Sequence, residues 1–115
     1  MKRLIAAFEN SARAFRRLAA QETAFRQEKA VLALALPAGW FLAQSLGHYG
    51  LLVGVLVLVL IVEVLNTGLE AVCDAVTLEN HAEIGFAKDC GSLAVLMSIG
   101  CAGAVWAHAV FAALV

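Results

Sequence analysis

The chain has 115 residues, of which 63% are hydrophobic and only 15% are charged, and its mean hydropathy is +0.87. This balance excludes a disordered protein and a nucleic-acid-binding protein, because both classes need far more polar and charged side chains. A soluble domain of this length leaves about a third of its surface exposed after folding, which is too much for so apolar a chain. The composition therefore predicts a protein whose solvent is lipid.

Charge is distributed unevenly along the chain. Residues 1–29 carry seven Lys or Arg against three Glu, a net charge of +4, whereas residues 30–115 carry one Lys against six acidic residues, a net charge of −5. Since Lys and Arg concentrate on the cytoplasmic side of membrane spans, we expect a cytoplasmic N-terminus. The odd number of cysteines, with no CxxC spacing, indicates neither a disulfide framework nor a zinc site.

The first 29 residues have the pattern of an amphipathic surface helix. Bulky apolar side chains recur there at helical spacing, and most of the arginines fall on other faces. The apolar positions are Leu4, Phe8, Phe15, Leu18 and Phe25. Such a helix lies on the membrane, held by apolar burial and by anionic lipid head groups.

Three apolar stretches follow, at residues 30–46, 51–73 and 90–112. The first contains 17 uncharged residues, and a helix of that length reaches about 26 Å, just enough to cross a bilayer core. Three spans place the basic N-terminus and the connector at residues 74–89 in the cytoplasm. With no internal repeat, residues 1–115 are predicted to form one all-α membrane domain: a surface helix plus three transmembrane helices.

Polar residues on the second span form a stripe. Glu63, Asn66, Glu70 and Asp74 are spaced so that all four lie within an arc of about 80° on one helix. An ionised carboxylate inside a span costs about 2.5 to 3.5 kcal/mol on insertion scales, so it indicates function. The alternative is that the stripe only stabilises helix packing through interhelical hydrogen bonds.

The third span begins beside a lysine. Lys88 and Ser92 share a helix face one turn apart, with Asp89 next to them. Opposed to a carboxylate stripe, Lys88 indicates the cationic half of a phosphoryl-transfer site, although a lone Lys at a span end is often a topology anchor. No P-loop motif is present, so phosphates would be held by Lys, Arg and a carboxylate-bound Mg²⁺. The depth of Glu22 matches that of Glu70, so the two could share that metal; the alternative is that Glu22 is simply solvated.

Three segments of this sequence, in order and at matching spacing, resemble the bacterial integral-membrane diacylglycerol kinases. They are residues 22–28 (ETAFRQE), 63–74 (EVLNTGLEAVCD) and 87–92 (AKDCGS). The resemblance implies a homotrimer of three-span subunits in the bacterial inner membrane, with active sites at subunit interfaces near the cytoplasmic face. It implies transfer of the γ-phosphoryl group of MgATP to diacylglycerol, which gives phosphatidic acid.

The resemblance also implies residue roles. Glu63 matches the general base, and Glu22 and Glu70 match the Mg²⁺ ligands. The implied nucleotide contacts are Arg3, Asn10, Glu22, Glu70, Glu79, Asn80, His81, Lys88 and Asp89. The implied lipid contacts are Arg3, Arg26, Gln27, Glu28, Asn66, Ser92 and Trp106. The sequence departs from many relatives at Asn10, where they have Tyr.

Three alternatives to a diacylglycerol kinase stay open at this point. A sister family phosphorylates undecaprenol, although residues 24–28 look more like the diacylglycerol branch. A proton-coupled drug exporter needs a carboxylate near mid-bilayer, whereas the acids here cluster toward the cytoplasmic end. A purely structural membrane subunit is the third possibility.

Overall fold

The computed structural model describes residues 1–76 and 81–115. Four helices follow one another within them: α1 (Lys2–Gln21), α2 (Thr23–Leu42), α3 (Leu46–Val76) and α4 (Ala82–Leu114). The predicted all-helical architecture is therefore confirmed. The predicted homotrimer stays a prediction, and so does the arrangement of the helices in a membrane.

The helix boundaries differ from those expected. The amphipathic segment is not one helix over 1–29, because Glu22 is extended (φ −106°, ψ 110°) and separates α1 from α2. The second and third apolar stretches are parts of longer helices, α3 and α4, which extend beyond the predicted spans 51–73 and 90–112. Both ends of the predicted connector, 74–89, are thus helical.

Among the described residues, two helices are long and apolar enough to cross a membrane by length and composition, namely α3 and α4. The first predicted span, 30–46, corresponds to the apolar part of α2, which ends at Leu42. Every 18-residue stretch of α2 includes three charged residues, Arg26, Glu28 and Lys29, so α2 is not apolar enough over that length to count with α3 and α4. A membrane-spanning role for α2 remains a prediction.

Small residues bring the helices together. α3 packs most extensively on α4, and α2 packs next on α3. Buried positions on α2 and α4 are mostly occupied by Ala, Gly or Ser: Ala35, Gly39, Gly91, Ser98, Ala102 and Ala109. Without a hydrophobic driving force between helices in lipid, such residues allow the close approach that dispersion and hydrogen bonds need.

Hydrogen bonds from two aromatic side chains link the helices near the α2–α3 turn. The indole nitrogen of Trp106 donates to the backbone carbonyl of Leu52 at 2.9 Å, and the Tyr49 hydroxyl donates to the carbonyl of Leu36 at 2.8 Å. Both rings pack against Gly39, where they occupy the positions next to an added Cβ atom. These bonds connect α4 to α3 and α3 to α2 at the end of the bundle opposite to the carboxylates.

Candidate active site

Two of the predicted stripe residues are hydrogen-bonded to each other on α3. The side-chain amide nitrogen of Asn66 donates to Oε1 of Glu70 at 3.4 Å, one helical turn away. Glu63 and Asn66 are half-buried, whereas Glu70 is exposed. The stripe therefore passes from a partly buried carboxylate to a carboxylate that a solvent-borne ligand can reach.

Glu22 lies at the break between α1 and α2. The backbone N–H of Glu22 still donates to the carbonyl of Leu18 at 2.9 Å, and its own carbonyl accepts from the N–H of Arg26 at 3.2 Å. Its carboxylate and that of Glu70 both contribute negative charge around Glu63. Glu22 and Glu70, predicted to share a metal, thus both act electrostatically on the same half-buried acid.

The carboxylate of Glu28 belongs to the same electrostatic group, because the negative charge of Glu63 acts on it. Glu28 is half-buried, and its Oε2 has no hydrogen-bond partner within residues 1–76 and 81–115. Mutual repulsion among acids stabilises bound cations. Yet within the part of the chain that the structure describes, no three Asp, Glu, His or Cys side chains lie close enough to hold a metal ion.

An apolar cavity begins at Glu28. It has a volume of about 540 Å³ and lies between α2, α3 and α4. Its lining residues are Glu28, Val31, Leu34, Ala35, Ala38, Leu56, Val59, Ile99, Ala102, Gly103 and Trp106. Two predicted lipid contacts, Glu28 and Trp106, therefore share one cavity whose wall is otherwise hydrocarbon.

Lys88 lies beside the Asp74 end of the stripe. Its Nζ lies 2.7 Å from Oδ1 of Asp74, an ion pair that joins α4 to α3. Both side chains are accessible, at 42% and 62% of their full exposure. The ammonium group is therefore placed beside the carboxylates and stays open to an anionic ligand. Sequence reasoning put Asp74 on the stripe without assigning it this partner, because a pairing between helices has no local signature.

The other predicted residues are more scattered. Asp89 and Ser92 are exposed near Lys88, and Arg26 and Gln27 are exposed beside Glu28. Arg3 and Asn10 are exposed on α1, where Asn10 accepts a hydrogen bond from Arg13. His81 caps α4 by accepting from the N–H of Glu83. Glu79 and Asn80 lie outside the described residues.

Comparison with known proteins gives one consistent result. Residues 9–110 match the prokaryotic diacylglycerol kinase family. The chain is 36% identical to a diacylglycerol kinase of Pseudomonas aeruginosa over 107 residues, which cover 93% of this chain and 87% of the relative.

Two more relatives carry the same name. A diacylglycerol kinase of Escherichia coli K12 is 42% identical over 85 residues, covering 74% of this chain and 70% of that protein. One of Haemophilus influenzae is 34% identical over 90 residues, covering 78% and 76%. The match spans both the acidic stripe and the Lys88 segment, and the chain belongs to the prokaryotic diacylglycerol kinase family.

Proposed function

We propose that this protein is an ATP-dependent lipid kinase that phosphorylates the free hydroxyl of 1,2-diacylglycerol, giving phosphatidic acid and ADP. The observation that carries the proposal is the meeting of the acidic stripe with Lys88 at one end of α3 and α4, in a chain of this family. Phosphoryl transfer asks a protein mainly for positioning and charge neutralisation. A carboxylate group beside an accessible ammonium supplies the parts for both.

Glu63 is the general base in this proposal. It takes the proton of the lipid hydroxyl, the hydroxyl oxygen forms a bond to the γ-phosphorus, and the bond from that phosphorus to the bridging oxygen of ADP breaks. Its position supports this role, since Glu63 is half-buried whereas Glu70 is exposed. In this proposal the half-buried base acts on the lipid, and the exposed carboxylate acts on the nucleotide side.

Glu22 and Glu70 are the residues that would hold Mg²⁺. Two carboxylates suit this ion, because Mg²⁺ usually keeps several waters and takes its remaining ligands from phosphate. When bound, the ion would neutralise charge on the transferring phosphoryl group. Lys88 and Asp89 are proposed to contact the nucleotide phosphates. Contacts from Arg3, Asn10, Glu79, Asn80 and His81 to the nucleotide complete the proposal.

The lipid would occupy the cavity between Glu28 and Trp106. Its volume falls within the 300–1,000 Å³ typical of small-molecule sites, and its hydrocarbon wall suits acyl chains. The polar rim for the glycerol head would include Arg26, Gln27 and Glu28, with Asn66 and Ser92 nearer the reacting hydroxyl. Arg3 would contact both the nucleotide and the lipid.

We further propose a homotrimer in the bacterial inner membrane, with the N-terminus and the active site on the cytoplasmic side. The basic N-terminal segment supports this orientation. Large apolar side chains that remain exposed on α3 and α4 support both lipid contact and self-association, among them Leu65, Val72, Phe86, Leu93, Leu96 and Met97.

Purified protein in mixed micelles, given γ-labelled ATP with diacylglycerol and undecaprenol side by side, tests the proposal. We expect label in phosphatidic acid, with none when Glu63→Gln replaces the wild type. Label on undecaprenol alone would retain the chemistry and overturn the substrate. If folded, micelle-bound protein labels neither lipid, the proposed kinase activity is wrong.

A further inference from the structure

Helix α4 approaches α3 closely where Gly91 faces Asn66. Gly91 is buried, and a Cβ atom added there would lie 3.1 Å from Cγ of Asn66 and nearer still to its Oδ1. At Gly85, Gly100 and Gly103, also on α4, an added Cβ would meet nothing within 4 Å. Gly91 thus differs from these three in having a polar side chain directly against its backbone.

The side-chain amide of Asn66 has only one orientation that fits its neighbours. A carboxylate only accepts hydrogen bonds, so the amide nitrogen is the atom that faces Oε1 of Glu70. Oδ1 is then directed at the Cα hydrogens of Gly91. It is buried and has no conventional hydrogen-bond partner among the described residues, which leaves it a weak Cα–H contact. Turning the amide over would set its oxygen against the carboxylate.

We infer that Gly91 is a positioning residue, which holds the Asn66 amide so that it orients the carboxylate of Glu70. The inference rests on the proposed function, in which Glu70 holds Mg²⁺. Any side chain at position 91 occupies the space of the Asn66 amide and displaces it from Glu70. The same helix crossing carries Lys88 toward Asp74, so a single close approach sets both the anionic and the cationic part of the site.

Gly91→Ala, with Gly100→Ala as the matched control, tests this role. Mn²⁺ as a spectroscopic substitute for Mg²⁺ reports metal binding in micelles, through loss of the free-ion signal in electron paramagnetic resonance. We expect Gly91→Ala to weaken Mn²⁺ binding about tenfold, the loss typical when the hydrogen-bond partner of a metal ligand is removed. The KM for MgATP should rise with it, and Gly100→Ala should change neither quantity.

The double variant Gly91→Ala/Asn66→Ala separates a positioning effect from general helix packing. Once the Asn66 side chain is absent, position 91 has no amide to displace, so the double variant should bind Mn²⁺ as Asn66→Ala does. If Gly91→Ala alone does not fold, the double variant should recover folded protein. Additive losses, or failure of both variants to fold, would overturn the inference.

The outcomes also separate this inference from the proposed function. Wild-type protein that neither binds Mn²⁺ nor transfers phosphate would refute the proposed function itself. Wild-type protein that does both, together with Gly91→Ala behaving as Gly100→Ala does, would refute the positioning role alone.

Discussion

At the scale of single residues, the carboxylates of the site differ in their surroundings. Glu63 is half-buried and experiences the charges of Glu22 and Glu70, whereas Glu70 is exposed and accepts a hydrogen bond from Asn66. Acids in such different surroundings suit different tasks. Burial suits Glu63 to a lipid acceptor, and access to water suits Glu70 to a hydrated ion.

Replacing Glu63 by Gln should remove turnover and leave MgATP binding nearly unchanged, because the base acts on the lipid hydroxyl. General-base catalysis contributes about 10²- to 10⁴-fold, so labelled-phosphate transfer should fall by at least two orders of magnitude. Glu9→Gln makes the same chemical change on the exposed face of α1 and should keep wild-type activity. Turnover of Glu63→Gln within tenfold of wild type would contradict the assignment.

Glu70→Ala should instead weaken the metal and the nucleotide together, since the exposed carboxylate is proposed to hold Mg²⁺ against the phosphates. We expect the Mg²⁺ concentration for half-maximal activity to rise by at least about 10- to 100-fold. Removing only the hydrogen-bond partner of a metal ligand already weakens metal binding by that factor. A Mg²⁺ titration at fixed ATP measures this concentration, with Glu9→Ala as the control. An unchanged titration would remove Glu70 from the metal shell.

At the scale of helices, the far end of the bundle is held by aromatic contacts around Gly39. A Cβ atom at this position would lie 3.3 Å from Cε1 of Tyr49 and 3.4 Å from Cη2 of Trp106, both on rigid rings. Each ring is also fixed by a hydrogen bond to a backbone carbonyl, at Leu36 and Leu52. Neither ring can move away without loss of its bond, so this end of the bundle has little room for larger side chains.

Gly39→Val should therefore destabilise the bundle by about 1–3 kcal/mol, the usual cost of overpacking. Gly54→Val is the matched control, because an added Cβ at Gly54 meets nothing within 4 Å. Unfolding in detergent followed by circular dichroism compares the two. Equal unfolding midpoints would show that the aromatic rings can rearrange at little cost and that the contacts at Gly39 do not stabilise the helix packing.

At the scale of the whole molecule, we propose that residues from more than one chain contribute to each site. No three metal-ligating side chains of the kinds Asp, Glu, His and Cys converge in the described ranges, 1–76 and 81–115. Arg3, a proposed contact to nucleotide and lipid, lies near the start of α1, and a helix separates two residues at positions 3 and 22 by about 28 Å. A contribution from a neighbouring subunit would solve both problems.

Mixing experiments test whether sites are shared between chains. In equal mixtures with wild type, Glu63→Gln chains should leave half of the activity whether sites are shared or not. Chains carrying both Arg3→Ala and Glu63→Gln should leave only about a quarter if each site in a closed oligomer needs Arg3 from one chain and Glu63 from the next. Half of the activity in this second mixture would contradict a site that combines Arg3 of one chain with Glu63 of the next.

Much of this protein could be predicted from residues that are close in sequence. The long apolar runs indicate lipid and helices, because burial and helical period depend on composition and local spacing. The stripe from Glu63 to Asp74 follows from the 3.6-residue period alone. The break at Glu22 does not follow from the sequence, since the apolar pattern continues through Phe25. Phe25 is buried, with its ring edge against Phe15 at a centroid distance of 5.5 Å.

Contacts between helices were decided only by the tertiary structure. The sequence alone determined a helical membrane chain with an acidic stripe and a lysine at the start of the third span, because each of these features belongs to one segment. It did not determine that Lys88 pairs with Asp74 or that Gly91 contacts Asn66. Those pairings depend on how each helix is rotated and how closely it crosses its neighbour. Rotation and crossing result from the packing of side chains that are distant in sequence.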